Sequence, residues 1–517
     1  MKSVFVLFDS LNKSAMSNYG YDTVKTPNFE KFSQKAMTFN NHYVGSLPCM
    51  PARRDMHTGR MNFMHRSWGP LEPFDNSFPE LLKKNGVYSH LISDHLHYFE
   101  DGGSGFHTRF NTWEYIRGQE HDPWIAMVKP PIERFKEKYD PRNYDFKRPS
   151  KRLQGAINRE KIRREDEFPG PKCFYSAFDF LEMNKDADNW SLMLECFDPH
   201  EPFHAPERFQ KAFNIDSEKK VLDWPHYEKV IEKDEDINTI RANYGALVAM
   251  CDDYFGQLLD RFDKYNLWSD TALILTTDHG FLLSEHDWWG KCRMPYYEEI
   301  SHIPLMVYDP RTPESRGKNT DAITQTMDLM PTILDLHGVD IPSEVRSNSL
   351  SYIIENPKSL GRKFAMFGIF SGPIGITDGK YVLYYYPPDW SADGLREYTL
   401  SPHHMVVPFN GEELKTSKLS TPFDFTKGCP VLSIAALPDA PRIPMNDGKS
   451  FADFDTVLYD LENDPKQKNP IINKNITQKL IEGITRLLVE HDAPFEIYEW
   501  YDLNTKKNCN KIIKRGI

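Results

Sequence analysis

"SVFVLFDS", residues 3–10, opens the chain with a run of apolar residues that stops at Asp9 and Ser10. A short apolar run without polar alternation marks a strand buried on both faces. Similar runs recur at "VYSHLIS" (87–93), "NWSLMLECF" (189–197), "TALILTT" (271–277) and "HIPLMVY" (302–308). Between them, apolar residues fall at helical spacing in "FPELLKKNG" (78–86), "NTIRANYGALVAMCDDYFGQLLDRFDKYN" (238–266) and "TQTMDLMPTILDLHG" (324–338). Buried strands alternating with helices predict an α/β fold: a large, mostly parallel sheet sandwiched by helices.

The pattern changes after about residue 355. "KFAMFGIF" (363–370), "GPIGITDGKYVLYYY" (372–386) and "DTVLYDL" (455–461) read as antiparallel strands, and "TQKLIEGITRLLVEH" (477–491) as an amphipathic helix. The expected division is a catalytic α/β domain over 1–360 and a smaller C-terminal α+β domain over 361–517. Residues 100–170 read as an irregular insertion, with "KRLQGAINREKIRRED" (151–166) as a solvated helix face.

The 517-residue chain carries a formal net charge of −12, which excludes nucleic acid or an anionic membrane as partners of its overall field. An anionic substrate would need a local basic cluster. Seven cysteines, at 49, 173, 196, 251, 292, 429 and 509, form no CxxC pair. An odd, widely spaced set reads as a reducing compartment without disulfides. No apolar run reaches bilayer length, and the start is too short for a leader, so the expected location is cytoplasmic.

In open α/β sheets, ligands bind beyond the carboxyl ends of the strands. Four such ends carry reactive residue types: Asp9-Ser10, "DHLHYFE" (94–100), "DPHEPFH" (198–204) and Asp278-His279-Gly280. An aspartate after a strand is often only a cap or turn former. Four in one chain mark a site. Asp9, Asp278 and His279 form a ligand set for a hard divalent cation. "GSLPCMPARRDMHTGR" (45–60) adds a thiol and arginines. Pro51 favours a first helical turn and Gly59 a helix end. Cys49 would then lie at the positive end of a helix with Arg53 one turn on, an arrangement expected to lower its pKa and to hold an anion.

Cys49, Pro51, Arg53, Thr58, Gly59 and Arg60 together resemble the signature of the formylglycine-dependent sulfatases, of the alkaline-phosphatase-like superfamily. The resemblance extends through "FVLFDSLN", "LTTDHGFLLSEHDWWGK", "MDLMPTILDLHGVDIP" and "LYDLENDPKQKNP". It implies that a sulfatase-maturating enzyme oxidises Cys49 to Cα-formylglycine, whose hydrate attacks sulfur and then releases sulfate. It implies one divalent metal, Ca²⁺ first with Mn²⁺ or Mg²⁺ as alternatives, held by Asp9, Asp278 and His279 beside Cys49. Ser10 stands where the family often has a second acid. Arg53 would steady the oxyanion, Lys291 contact the sulfate, and His200 protonate the leaving oxygen. Asp94 takes the place of a family lysine, leaving His97, or else His95, as the substrate-facing histidine, with His97 favoured. Ala52 replaces a frequent serine. The implied substrate is a sulfated saccharide or small molecule. A phosphonate monoester or phosphodiester hydrolase is the alternative, and a non-catalytic carbohydrate-binding relative the third reading. His286, His302 and Cys292 read as peripheral.

Overall fold

The structure is a computed structural model that describes residues 1–146, 150–390, 394–437 and 454–503. Cys509 and the end of the expected C-terminal domain lie outside the described residues. The main sheet is built from β1 (Lys2–Phe8), β2 (Met37–Tyr43), β3 (Tyr88–Ser93), β4 (Thr112–Tyr115), β5 (Trp190–Cys196) and β6 (Thr271–Thr277). After a small hairpin of β7 (Leu282–Leu283) and β8 (Trp289–Gly290), β9 (His302–Tyr308) and β10 (Asn319–Gln325) complete it. The strand order is β10-β2-β9-β6-β1-β5-β3-β4. Every neighbouring pair is parallel except those of β9, which runs antiparallel to both β6 and β2.

β1 shows why its sequence lacks alternation. Val4, Val6 and Phe8 enter one core, against Phe29 and Phe32 of the helix Pro27–Ser33 and Phe255 and Leu258 of the helix Asp234–Lys264. Phe5 and Leu7 enter the opposite core, with Met50 and Met56 of the helix Cys49–Thr58 and Ile333 and Leu334 of the helix Leu329–Leu336. A fully buried side chain of this size stabilises the fold by about 1.5–3 kcal/mol, so both faces favour apolar residues. The sheet is sandwiched by helices, as expected.

The later strands are β11 (Ala365–Gly368), β12 (Ile374–Thr377), β13 (Tyr381–Tyr385), β14 (Arg396–Thr399), β15 (Lys418–Leu419), β16 (Leu432–Ala435) and β17 (Val457–Asp460). β11-β12-β13-β17 form an antiparallel sheet, as the sequence predicts, covered by Leu480, Ile484 and Leu488 of the helix Lys474–Glu490. The antiparallel sheet β14-β16-β15 was not anticipated.

Three readings need correction. Thr324 and Gln325, expected in a helix, end strand β10, and the helix starts at Leu329. The helix Lys151–Arg159 is not a solvated face: Leu153, Ala156 and Ile157 pack with Phe135, Tyr139, Tyr144 and Trp224 in a core of their own. The stretch 100–170 therefore carries regular elements, including β4 and the helix Ile132–Lys138. Its aromatic residues supply the apolar partners that the short helices lack by themselves.

Candidate active site

Parallel register assembles the site. Phe8 pairs with Cys196 of β5 and with Thr277 of β6, so the next residues, Asp9, Phe197 and Asp278, emerge side by side. β3 lies on the far side of β5 and delivers Asp94, His95 and His97 to the same edge. The helix Cys49–Thr58 points its first turn at these strand ends, and Gly59 terminates it in the left-handed conformation at φ 66°. A side chain there would also meet Val345 at 2.8 Å.

Arg53 ties the parts together. Its Nη2 donates to Asp9 Oδ2 at 2.9 Å and its Nη1 to Asp278 Oδ2 at 2.6 Å. Nη1 also reaches the Cys49 carbonyl oxygen at 3.0 Å, and Nε donates to Glu195 Oε1 at 2.5 Å. All four side chains in these ion pairs are 0% exposed. Buried charge persists only when it is paired and hydrogen-bonded. Each guanidinium nitrogen is thus spent on the frame of the site, one turn behind Cys49.

Cys49 Sγ lies 3.3 Å from His279 Nε2 and 3.5 Å from Lys291 Nζ. Lys291 also donates to Ser10 Oγ at 3.1 Å and stands 3.7 Å from Asp9 Oδ1. One ligand atom each of Asp9, Cys49, Asp278 and His279 fall within 4.8 Å of one another. His279 Nδ1 donates to the Gly280 carbonyl at 3.0 Å, which leaves the Nε2 lone pair facing the cluster. Burial raises Asp278 to about 7, with the charge of Asp9 adding to the effect. Burial also acts on Asp9, but Lys291 and Arg53 overcome it and hold this carboxylate well below its ordinary range. Two buried carboxylates and a neutral imidazole facing one another are donors that could hold a divalent cation, and the repulsion between the acids is what such an ion would relieve. Ser10 is less available than its place in the sequence suggests. Its hydroxyl hydrogen goes to Asp9 Oδ1 at 2.7 Å, and its backbone N–H to Asp278 Oδ1 at 3.1 Å.

The expectation of a lowered thiol pKa does not hold for the chain itself. Burial pushes Cys49 well up, Asp9 adds to the rise, and Lys291 opposes it. Desolvation and a facing carboxylate outweigh the helix end and Arg53, whose charge the three acids already neutralise.

The histidines divide. His200 Nδ1 donates to the Glu201 carbonyl at 2.5 Å. His95 Nε2 lies 3.4 Å from Asp9 Oδ2, and neither of its ring nitrogens has a hydrogen-bond partner among the described residues. His97 turns toward Glu100, 2.5 Å from Nδ1, against the edge of Trp68. Asp94 is a structural acid that accepts from the Phe197 N–H at 2.7 Å and from Gln119 at 2.9 Å. His286 stacks on Tyr297 and His302 on Tyr43. The residues that sequence reasoning missed are Glu195, Tyr98, Glu201 and Tyr227. Tyr98 donates to Glu195 Oε2 at 2.7 Å, and Tyr227 to Glu201 Oε1 at 2.5 Å. A lone glutamate inside the apolar run 189–197 was the available signal for Glu195.

The family model described as Sulfatase matches residues 2–339. The chain belongs to the sulfatase family. As a sulfatase it is a sulfuric ester hydrolase. It is 23% identical over 445 residues to an arylsulfatase of Clostridium perfringens, covering 80% of this chain and 91% of that one. It is 25% identical over 407 residues to an N-acetylglucosamine-6-O-sulfatase of Bacteroides thetaiotaomicron, covering 68% of this chain and 70% of the other. A solved protein in complex with its substrate D-glucosamine-2-N,6-O-disulfate superposes with a TM-score of 0.63 at 16% identity, over 94% of this chain and 97% of that chain. A phosphonate monoester hydrolase of Agrobacterium radiobacter superposes with a TM-score of 0.61 at 17% identity, over 95% and 96% of the two chains. These likenesses identify the alkaline-phosphatase-like fold. Sulfatases generally use a formylglycine and a divalent metal, and the cluster at Cys49 offers the side chains for both. No helix among the described residues is long and apolar enough to cross a membrane.

Proposed function

We propose that this sulfatase hydrolyses a sulfate ester of a saccharide or small molecule through a formylglycine made from Cys49 and one divalent metal, Ca²⁺ first and Mn²⁺ or Mg²⁺ as alternatives. The observation that carries this reading is Cys49 Sγ at 3.3 Å from His279 Nε2, in one cluster with Asp9 and Asp278. Asp9, Asp278 and His279 would hold the metal, with the modified residue 49 and Ser10 beside it. When present, these two groups supply a nucleophilic oxygen at neutral pH and positive charge for the sulfuryl oxygens.

The chain's own residues do the rest. Arg53 holds both ligand carboxylates in place and so pre-organises the site. Lys291 is a buried ammonium beside residue 49. Burial disfavours its charge, yet acidic neighbours, Asp9 and Glu201 among them, outweigh burial and raise its pKa, so it stays protonated. It is placed to bind a sulfuryl oxygen. His200 would give a proton to the leaving oxygen. His95, against Asp9, would be the substrate-facing histidine in place of the favoured His97, whose ring packs beside it and turns to Glu100.

A sulfatase-maturating enzyme is the partner this chemistry requires. Described cysteines 49, 173, 196, 251, 292 and 429 form no disulfide, which fits a reducing, cytoplasmic setting. One feature favours the phosphonate or phosphodiester reading: a single acid, Asp9, at the end of β1, with Ser10 where a second would add charge.

The deciding experiment co-expresses the chain with a maturing enzyme. Its intact mass should show the thiol replaced by an aldehyde, and turnover of 4-nitrophenyl sulfate should exceed that of a phenylphosphonate monoester. The opposite ratio would move the assignment to the phosphonate class. Sugar binding without turnover would make the chain a binding relative.

A further inference from the structure

The residue after His200 holds it in place. His200 Nδ1 lies 2.5 Å from the Glu201 carbonyl oxygen and 3.2 Å from Oε2 of the Glu201 carboxylate. A carbonyl oxygen only accepts, so Nδ1 carries the proton and Nε2 is the nitrogen left for the site. Glu201 is 3% exposed. Its Oε1 accepts from the Tyr227 hydroxyl at 2.5 Å, while Oε2 has no hydrogen-bond partner among the described residues. A buried carboxylate with one oxygen left over is stabilised by positive charge arriving beside it. The nearest group able to acquire that charge is the His200 ring.

Tyr227 is fixed in turn. Its ring fills the space over Gly290, where a Cβ would stand 2.7 Å from Tyr227 Cγ, and it packs edge-on to Phe281 at 5.7 Å. Burial lowers the His200 pKa and Lys291 adds to that, while the charges of Glu201, Asp9 and Glu120 favour the imidazolium. Among the described residues, Glu201 alone of these lies within ion-pair distance of the ring.

We propose that Glu201 is a positioning residue: its backbone carbonyl sets the Nδ1–H tautomer of His200, and its carboxylate, with Tyr227 behind it, steadies the imidazolium that protonates the leaving oxygen. The proposal rests on the function given above. As an oxygen on the modified residue 49 bonds to sulfur and the bond between sulfur and the leaving oxygen breaks, the electron pair of the broken bond stays on the leaving oxygen and the Nε2 proton moves onto it. The ring becomes neutral and regains a proton from solvent. The Glu201 side chain takes no part in the proton transfer and acts only by orientation and field, as the acid of a carboxylate–imidazole pair does.

The test uses the matured full chain and a series of aryl sulfates: 4-nitrophenyl, 4-chlorophenyl, phenyl and 4-methoxyphenyl. Proton donation matters most for the poorest leaving group. Glu201→Gln should lower kcat roughly 10- to 100-fold on 4-methoxyphenyl sulfate and at most about threefold on 4-nitrophenyl sulfate, with KM little changed. Glu201→Asp should recover part of the loss. Tyr227→Phe should show the same trend more weakly, and it stands in should Glu201→Gln fail to fold. His200→Ala should give the steepest dependence of all. A steep profile for His200→Ala beside flat profiles for Glu201→Gln and Tyr227→Phe overturns this proposal alone. A flat profile for His200→Ala, or a matured wild type inert on every ester, overturns the functional reading and the proposal with it.

Discussion

Glu195, next to last in β5, takes the Arg53 guanidinium at 2.5 Å, with neither side chain exposed. The contact joins the Cys49–Thr58 helix to the middle of the sheet. Asp9 and Asp278 hold the other two corners of the same guanidinium, so one arginine spans β1, β5 and β6. Residue 49 is thereby placed by a charged frame as well as by apolar packing.

Removing one corner of that frame should be costly. Glu195→Ala leaves Arg53 and Tyr98 without their shared acceptor in a dry interior, and breaking such a pair costs about 3–5 kcal/mol. A clear fall in the urea unfolding midpoint is expected, with native secondary structure retained at low urea. An unchanged midpoint would show that Asp9 and Asp278 suffice.

Cys49→Ala should behave in the opposite way. The residue opens a helix, where alanine is well tolerated, and its loss removes only one small buried group. Thermal unfolding should stay close to wild type while hydrolysis of 4-nitrophenyl sulfate disappears. Retained turnover by this variant rules out residue 49 as the nucleophile's source.

Divalent cation binding should be visible without any substrate. The facing carboxylates of Asp9 and Asp278 are relieved by an ion that binds only the folded chain, so added Ca²⁺ or Mn²⁺ should raise Tm in a concentration-dependent way. Chelation should reverse the rise, and Asp278→Asn should abolish most of it. A Tm indifferent to every divalent ion tried would refute the ligand set.

Acid should weaken the fold partly through His57. This ring is buried among Phe78, Phe106 and Phe110, and burial, aided by Arg109 and Arg53, lowers its pKa from 6.5 to about 3. The unfolded chain takes up this proton near 6.5, while the folded chain resists it until about 3. The unfolded state therefore binds more protons across that window, and stability falls as pH drops through it. In His57→Phe, Tm should vary less with pH between about 6.5 and 3 than in wild type. Equal slopes would mean that this ring does not contribute.

Much of this could be read from the chain because the relevant physics is local. Apolar runs without alternation mark strands buried on both faces, and the residue types at their ends, Asp9, Asp278, His279 and His200, lie next to those runs. Direction is not local. "HIPLMVY" has the same pattern whether it runs with its neighbours or against them, and only pairing with β6 and β2 makes it antiparallel. The helix at 151–159 looked solvated because its cover, Trp224 and Tyr144, lies far along the chain or outside the helix.

The sequence by itself determined the α/β class, the cysteine and the acids that gather around it, because each depends on residues adjacent in the chain. Tertiary structure alone decided which charges meet. Arg53 reaches Glu195 across 142 residues, Cys49 reaches His279 across 230, and the thiol is raised where helix position suggested the reverse. The reason is that Coulomb interaction and desolvation depend on distance and burial, which spacing along a chain does not encode.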